Sequence, residues 1–110
     1  MIQLKNNFIS GFSHDEIYII GKSLTDAWGY PYRPKTIKFL TDREEYKKVD
    51  DKFNGQNGYQ IDQNDIAIVL NALELLYYEN GDFLALYDGV TMEDVKTLYE
   101  RLKQYAPFSG

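Results

Sequence analysis

Apolar residues recur at helical spacing in four stretches of the chain, and a short polar residue stands in front of each. From about Ser13 to Trp28 the inward positions are Ile17, Ile20, Leu24 and Trp28, and Gly29 ends the pattern. From about Thr41 to Phe53 they are Tyr46, Val49 and Phe53, in an otherwise polar helix expected at the edge of the fold. From about Asp62 to Tyr78 there are two apolar stripes, Ile66, Val69, Leu73 and Leu76 on one side and Ile68, Ala72 and Leu75 on another. A helix apolar on two sides is central. The last helix is expected from about Thr91 to Tyr105, with Val95, Leu98, Tyr99, Leu102 and Tyr105 inward and Pro107 marking its end.

The helix starts resemble one another. A capping box needs a short polar side chain at the N-cap and an acid or amide three residues later. Ser13 with Glu16 and Thr41 with Glu44 fit; Thr91 with Asp94 and Asp62 with Asp65 are close variants. The first two starts are 28 residues apart and the last two 29, and Phe12–Ile20 overlays on Ile61–Val69 in its order of apolar and cap positions. The expectation is one all-α domain over residues 1–110, with about four main helices from two duplicated helix–turn–helix units, 12–55 and 61–106. Ile2 to Phe12 is weakly strand-like, a short strand or arm over the bundle. Pro31 and Pro34 forbid a regular helix after Gly29. Asn54–Gly58 reads as a plain loop, and 82–88 as a short helix or a strand, the duplication favouring the helix.

Composition narrows the function. Cysteine is absent, so disulfides and thiolate metal sites are excluded. No run of about 18 apolar residues is present, and Met1–Lys5 lacks the apolar core of a signal peptide; a cytoplasmic location is expected. The net charge of −5 is uneven: residues 1–55 sum to +1 and residues 56–110 to −6. No Lys or Arg falls between Lys52 and Lys96, a stretch holding eight acids. A field of one sign favours a basic partner and repels nucleic acid and anionic lipid; it also serves simply as a solubilising surface.

Candidate chemistry is sparse. His14, the single histidine, sits in a first helical turn with no partner to orient it as a base. Asp50-Asp51, Glu44-Glu45 and Glu93-Asp94 are neighbours on helices, point apart, and read as solvated faces. A calcium loop starting at Asp50 fails, with Lys52 and Ile61 where oxygen ligands are required. No Gly-rich phosphate loop occurs. Arg33, Lys35, Lys38, Arg43, Lys47 and Lys48 beside Tyr30 and Tyr32 could serve nucleic acid, but the domain is acidic overall and acids are interleaved in the same half, which argues against it. Neither enzyme activity nor a metal or cofactor is expected.

Ten tyrosines are the stronger signal. Tyr30 and Tyr32 lie in the proline-bearing segment, Tyr77 and Tyr78 are adjacent and cannot both face one core, and Tyr87 stands among acids. Tyrosine beside acid suits protein recognition: a rigid apolar ring, a hydroxyl and a charge. The expected contact surface is Tyr78, Glu79, Asp82, Tyr87 and Asp88, with Tyr30 and Tyr32 second.

A small, acidic, cysteine-free helical chain without catalytic groups resembles bacterial toxin-immunity proteins and antitoxins as a class, and its box Gly89-Val90-Thr91-Met92-Glu93-Asp94 resembles a stretch of other short bacterial proteins. The resemblance implies a non-catalytic domain, a monomer or weak dimer, whose partner is a cognate basic protein toxin such as a nuclease. The other expectation is a regulatory or scaffold subunit that holds a partner helix in an apolar groove.

Overall fold

A β-hairpin opens the fold. Strand β1 (Gln3–Lys5) pairs antiparallel with β2 (Phe8–Ser10), Lys5 facing Phe8 across a two-residue turn. Asn6 and Asn7 make that turn with φ of 54° and 68°. Positive φ at both positions matches the twist of the flanking strands, and asparagine tolerates it. Strand β3 (Ile61–Asp62) adds to the other side of β2, Ile9 opposite Ile61. Both isoleucines are buried, so the sheet lays one face on the core. The computed structural model describes residues 1–29, 39–79 and 89–106, without the side chains of residues 78 and 79.

Four α-helices carry most of the rest: α1 (His14–Gly29), α2 (Arg43–Asp51), α3 (Ile66–Glu79) and α4 (Met92–Lys103). The fold is thus mainly helical with a short N-terminal sheet, in agreement with the expected all-α class. The α1 box closes both ways, Ser13 N–H donating to Glu16 Oε1 at 2.8 Å and Glu16 N–H to Ser13 Oγ at 3.2 Å. Thr91 and Asp94 do the same at α4. At α2 the cap is Asp42, not Thr41: its carboxylate accepts from Glu45 N–H at 3.1 Å, moving the start by one residue. A charged acceptor suits the positive end of a helix better than a hydroxyl. Asp62 also caps, accepting from Asn64 N–H at 3.0 Å, but it caps a 3₁₀ turn (Gln63–Asp65). Pairing with β2 holds Ile61 and Asp62 extended, so α3 begins only at Ile66.

Where a plain loop was expected, α2 continues as a π-helical turn, Lys52–Gln56. Burial drives this, since Phe53 sits in the turn at 1% exposure with the rings of Phe12 and Tyr59 edge-on at 6.2 and 5.7 Å. Gly58 and Tyr59 then turn the chain with φ of 60° and 63°, and Tyr59 N–H donates to Phe53 O at 2.8 Å.

Helix α1 packs against both α2 and α3, and α3 against α4. Contact on two sides turns α1's buried stripe away from the expected one. Ile19, Ile20, Ser23, Leu24 and Ala27 are buried, while Ile17 and Trp28 are half-buried. Ser23 is tolerated inside because its hydroxyl donates to Ile20 O at 2.8 Å. Tyr46, Val49 and Phe53 are buried as the spacing requires. In α3 both expected stripes are enclosed except for half-buried Ile68; in α4 Val95, Leu98 and Leu102 are buried, and Tyr99 and Tyr105 half-buried. Gln63 fastens the sheet to the end of α4: its N–H donates to Asn7 O at 2.9 Å and its side chain to Tyr105 O at 3.0 Å. Tyr105 in turn donates to Ile2 O at 3.3 Å.

Candidate interaction surface

Two buried polar side chains, Asp50 and Asn71, are engaged in holding helices together. Asp50, expected on a solvated face, is 4% exposed. Its Oδ2 accepts from Thr25 Oγ1 at 2.9 Å and Trp28 Nε1 at 2.7 Å, and its Oδ1 from Asn54 Nδ2 at 2.7 Å. A carboxylate with three donors is stable inside without a metal or substrate. Its neighbour Asp51 remains exposed and pairs with Lys47 at 3.0 Å. Asn71, 8% exposed, accepts on Oδ1 from the Tyr46 hydroxyl and from Leu40 N–H. His14 is exposed at the start of α1.

Of the expected contact residues, Tyr30, Tyr32, Asp82, Tyr87 and Asp88 lie outside the described residues, as do the side chains of Tyr78 and Glu79. A groove of about 220 Å³ runs between α3 and α4, lined by Leu73, Glu74, Tyr77, Val95, Lys96, Tyr99 and Glu100. The two helices contribute to it in the same way. Leu73 and Tyr77 are four residues apart on α3, Val95 and Tyr99 four apart on α4, so each helix offers an aliphatic residue and one turn later a tyrosine. Buried Leu73 and Val95 make the floor, half-buried Tyr77 and Tyr99 the walls. Glu74, Lys96 and Glu100 follow these residues by one position and form the rim. Among the described residues none of these three makes an ion pair.

Several charges elsewhere are paired within the fold. A larger hollow of about 680 Å³ lies between the first strand and α1 and α4, but its two charged side chains, Glu16 and Arg101, face each other at 3.4 Å. Asp65, part of the acidic stretch, is held by Lys52 at 2.6 Å, and that bond raises the Lys52 ammonium above its usual pKa. On α1, Lys22 Nζ lies 3.3 Å from Asp26 Oδ2 in a poorly aligned pair, and that oxygen receives no hydrogen bond. Burial pushes the Asp26 carboxyl above the usual aspartate range, and the pull of Lys22 offsets this only in part.

Spacing alone places Tyr99 in the core, whereas it forms one wall of the groove. The usable signal was the paired pattern of aliphatic, charge and, three residues on, tyrosine: Leu73-Glu74 with Tyr77, and Val95-Lys96 with Tyr99.

Among the described residues no group of three acids or histidines is placed to hold a metal ion, and no helix is long and apolar enough to cross a membrane. Fold and groove together define a small helical domain with a sheet at one end and an amphipathic slot along one helix pair. Compared with known proteins, the chain matches no family model, no curated protein and no solved structure.

Proposed function

We propose that this chain is a non-catalytic protein-binding domain, an immunity protein of bacterial type that neutralises a basic cognate toxin such as a nuclease. The observation that carries the reading is the groove between α3 and α4, where two tyrosines and two glutamates without ion-pair partners among the described residues meet a single lysine. It lies in the half of the chain that sums to −6. A nuclease site is positive because it binds phosphates, and an acidic surface speeds docking and repels competing nucleic acid. Buried aromatic anchors then supply the slow dissociation. On this reading the protein is cytoplasmic, a monomer or weak dimer, and needs no cofactor. The charged rim favours it over a scaffold that cradles an apolar helix.

The test is co-purification with the product of the gene immediately upstream, at low and then high salt. The expected result is a complex that weakens as salt rises, with a partner that is toxic when expressed alone. Elution alone, or as a homodimer indifferent to salt, overturns the reading.

A further inference from the structure

The groove between α3 and α4 has the shape and chemistry of a slot for one long cationic side chain. Its floor of Leu73 and Val95 is apolar, its walls Tyr77 and Tyr99 are aromatic, and its rim carries Glu74 and Glu100. An arginine uses all three layers. Its methylene stem covers apolar floor while the guanidinium stays at the wet rim. The planar head stacks on a tyrosine face and donates in parallel to a carboxylate, which an ammonium cannot do. A neutral side chain would leave both carboxylates unmatched. Lys96 is the counterweight, a positive charge on the same rim that repels the incoming cation.

We infer that this groove takes a single arginine side chain presented by the basic partner; the inference rests on the protein-binding reading above and names the group that enters. Two consequences of opposite sign follow. Removing rim carboxylates weakens binding, and removing Lys96 strengthens it. A structural role would not give that pair of signs, and long-range attraction to an acidic surface would give it without changes confined to the groove residues.

The measurement is an amide-resolved NMR titration of the free protein with Nα-acetyl-arginine methylamide, with the neutral citrulline analogue as control. Expected are shifts centred on Leu73–Tyr77 and Val95–Glu100 that the citrulline analogue does not produce. Glu74→Gln with Glu100→Gln should weaken binding by about fivefold or more, and Lys96→Ala should tighten it by about twofold. Neither variant removes an ion pair among the described residues, so both should keep the spectrum of the folded chain. Shifts elsewhere, equal binding of citrulline, or indifference to the glutamine pair overturn the slot. The two readings fail separately. Arginine binding in a protein that captures no toxin upholds the slot and removes the immunity reading. A salt-sensitive toxin complex untouched by the glutamine pair does the reverse.

Discussion

Trp28 Nε1 donates to Asp50 Oδ2 at 2.7 Å, joining the end of α1 to the end of α2 through a carboxylate that is almost wholly buried. Thr25 shares the same oxygen, Asn54 takes the other, and Arg43 Nη1 donates to Trp28 O at 3.1 Å. Asp50→Ala leaves three donors facing a cavity. The expected loss is about 3 kcal/mol, because breaking a buried charged contact strands its partners. Trp28 is the only tryptophan, so urea unfolding followed by its fluorescence reads both the stability and the local change. A loss under about 1 kcal/mol would show that water replaces the carboxylate at little cost.

Tyr46 links α2 to α3 and to the segment before α2. Its hydroxyl donates to Asn71 Oδ1 and accepts from Leu40 N–H at 2.9 Å. Tyr46→Phe keeps the edge-on contact with Phe39 at 5.9 Å and removes only the hydroxyl. We expect a loss of about 1–2 kcal/mol in chemical denaturation, with faster hydrogen exchange at Leu40. Unchanged exchange at Leu40 would mean that Asn71, 3.2 Å away, suffices as its acceptor.

Gly11 joins β2 to α1 at φ +88°, and a Cβ there would fall 1.9 Å from Met1 O. Gly11→Ala must both strain the backbone and push Met1 and Ile2, just ahead of the first strand, aside, at a cost of about 1–3 kcal/mol. The damage should be local: Lys5 and Phe8, the hydrogen-bonded pair next to the turn, lose exchange protection while Leu98 in α4 keeps it. Equal loss at all three sites would show that the sheet and the helices unfold as one unit.

Asp26 sets a pH dependence. Its carboxyl is raised in the folded state by burial, with Lys22 opposing, so the folded chain holds this proton more tightly than the unfolded chain does. Its contribution is therefore most favourable below the ordinary aspartate value of 3.8, and declines as pH rises through the raised folded value. Asp26→Asn should melt higher than the parent at pH 7 and show no advantage at pH 3. A lower melting temperature at pH 7 would mean that the pair with Lys22 outweighs the burial.

The parts of this fold legible in the sequence are those decided within a turn or two of chain. Ser13 with Glu16 and Thr91 with Asp94 cap as their spacing dictates, and the stripes Ile66, Val69, Leu73 and Leu76 of α3 and Val95, Leu98 and Leu102 of α4 are buried where periodicity puts them. Three features depend on distant partners and were not legible. The strand at Ile61–Asp62 exists only because β2 lies beside it; by itself the segment looks like a helix cap. Asp50 looks as solvated as Asp51, because the donors that bury it come from Thr25 and Trp28 on another helix. The groove requires the register of α3 against α4, and neither Tyr77 nor Tyr99 announces alone that it lines a wall. The hairpin at 3–10 was legible only as a weakly strand-like arm, because strands of three residues are too short to show alternation.

Tyr105 and Ile2 meet across 103 positions of sequence, and Gln63 ties into the same corner. A closure that long is entropically expensive until the helices between have docked. β1 pairs locally with β2, whereas the Ile2–Tyr105 contact waits on that docking, so the corner works as a clasp between the start of the chain and the end of α4.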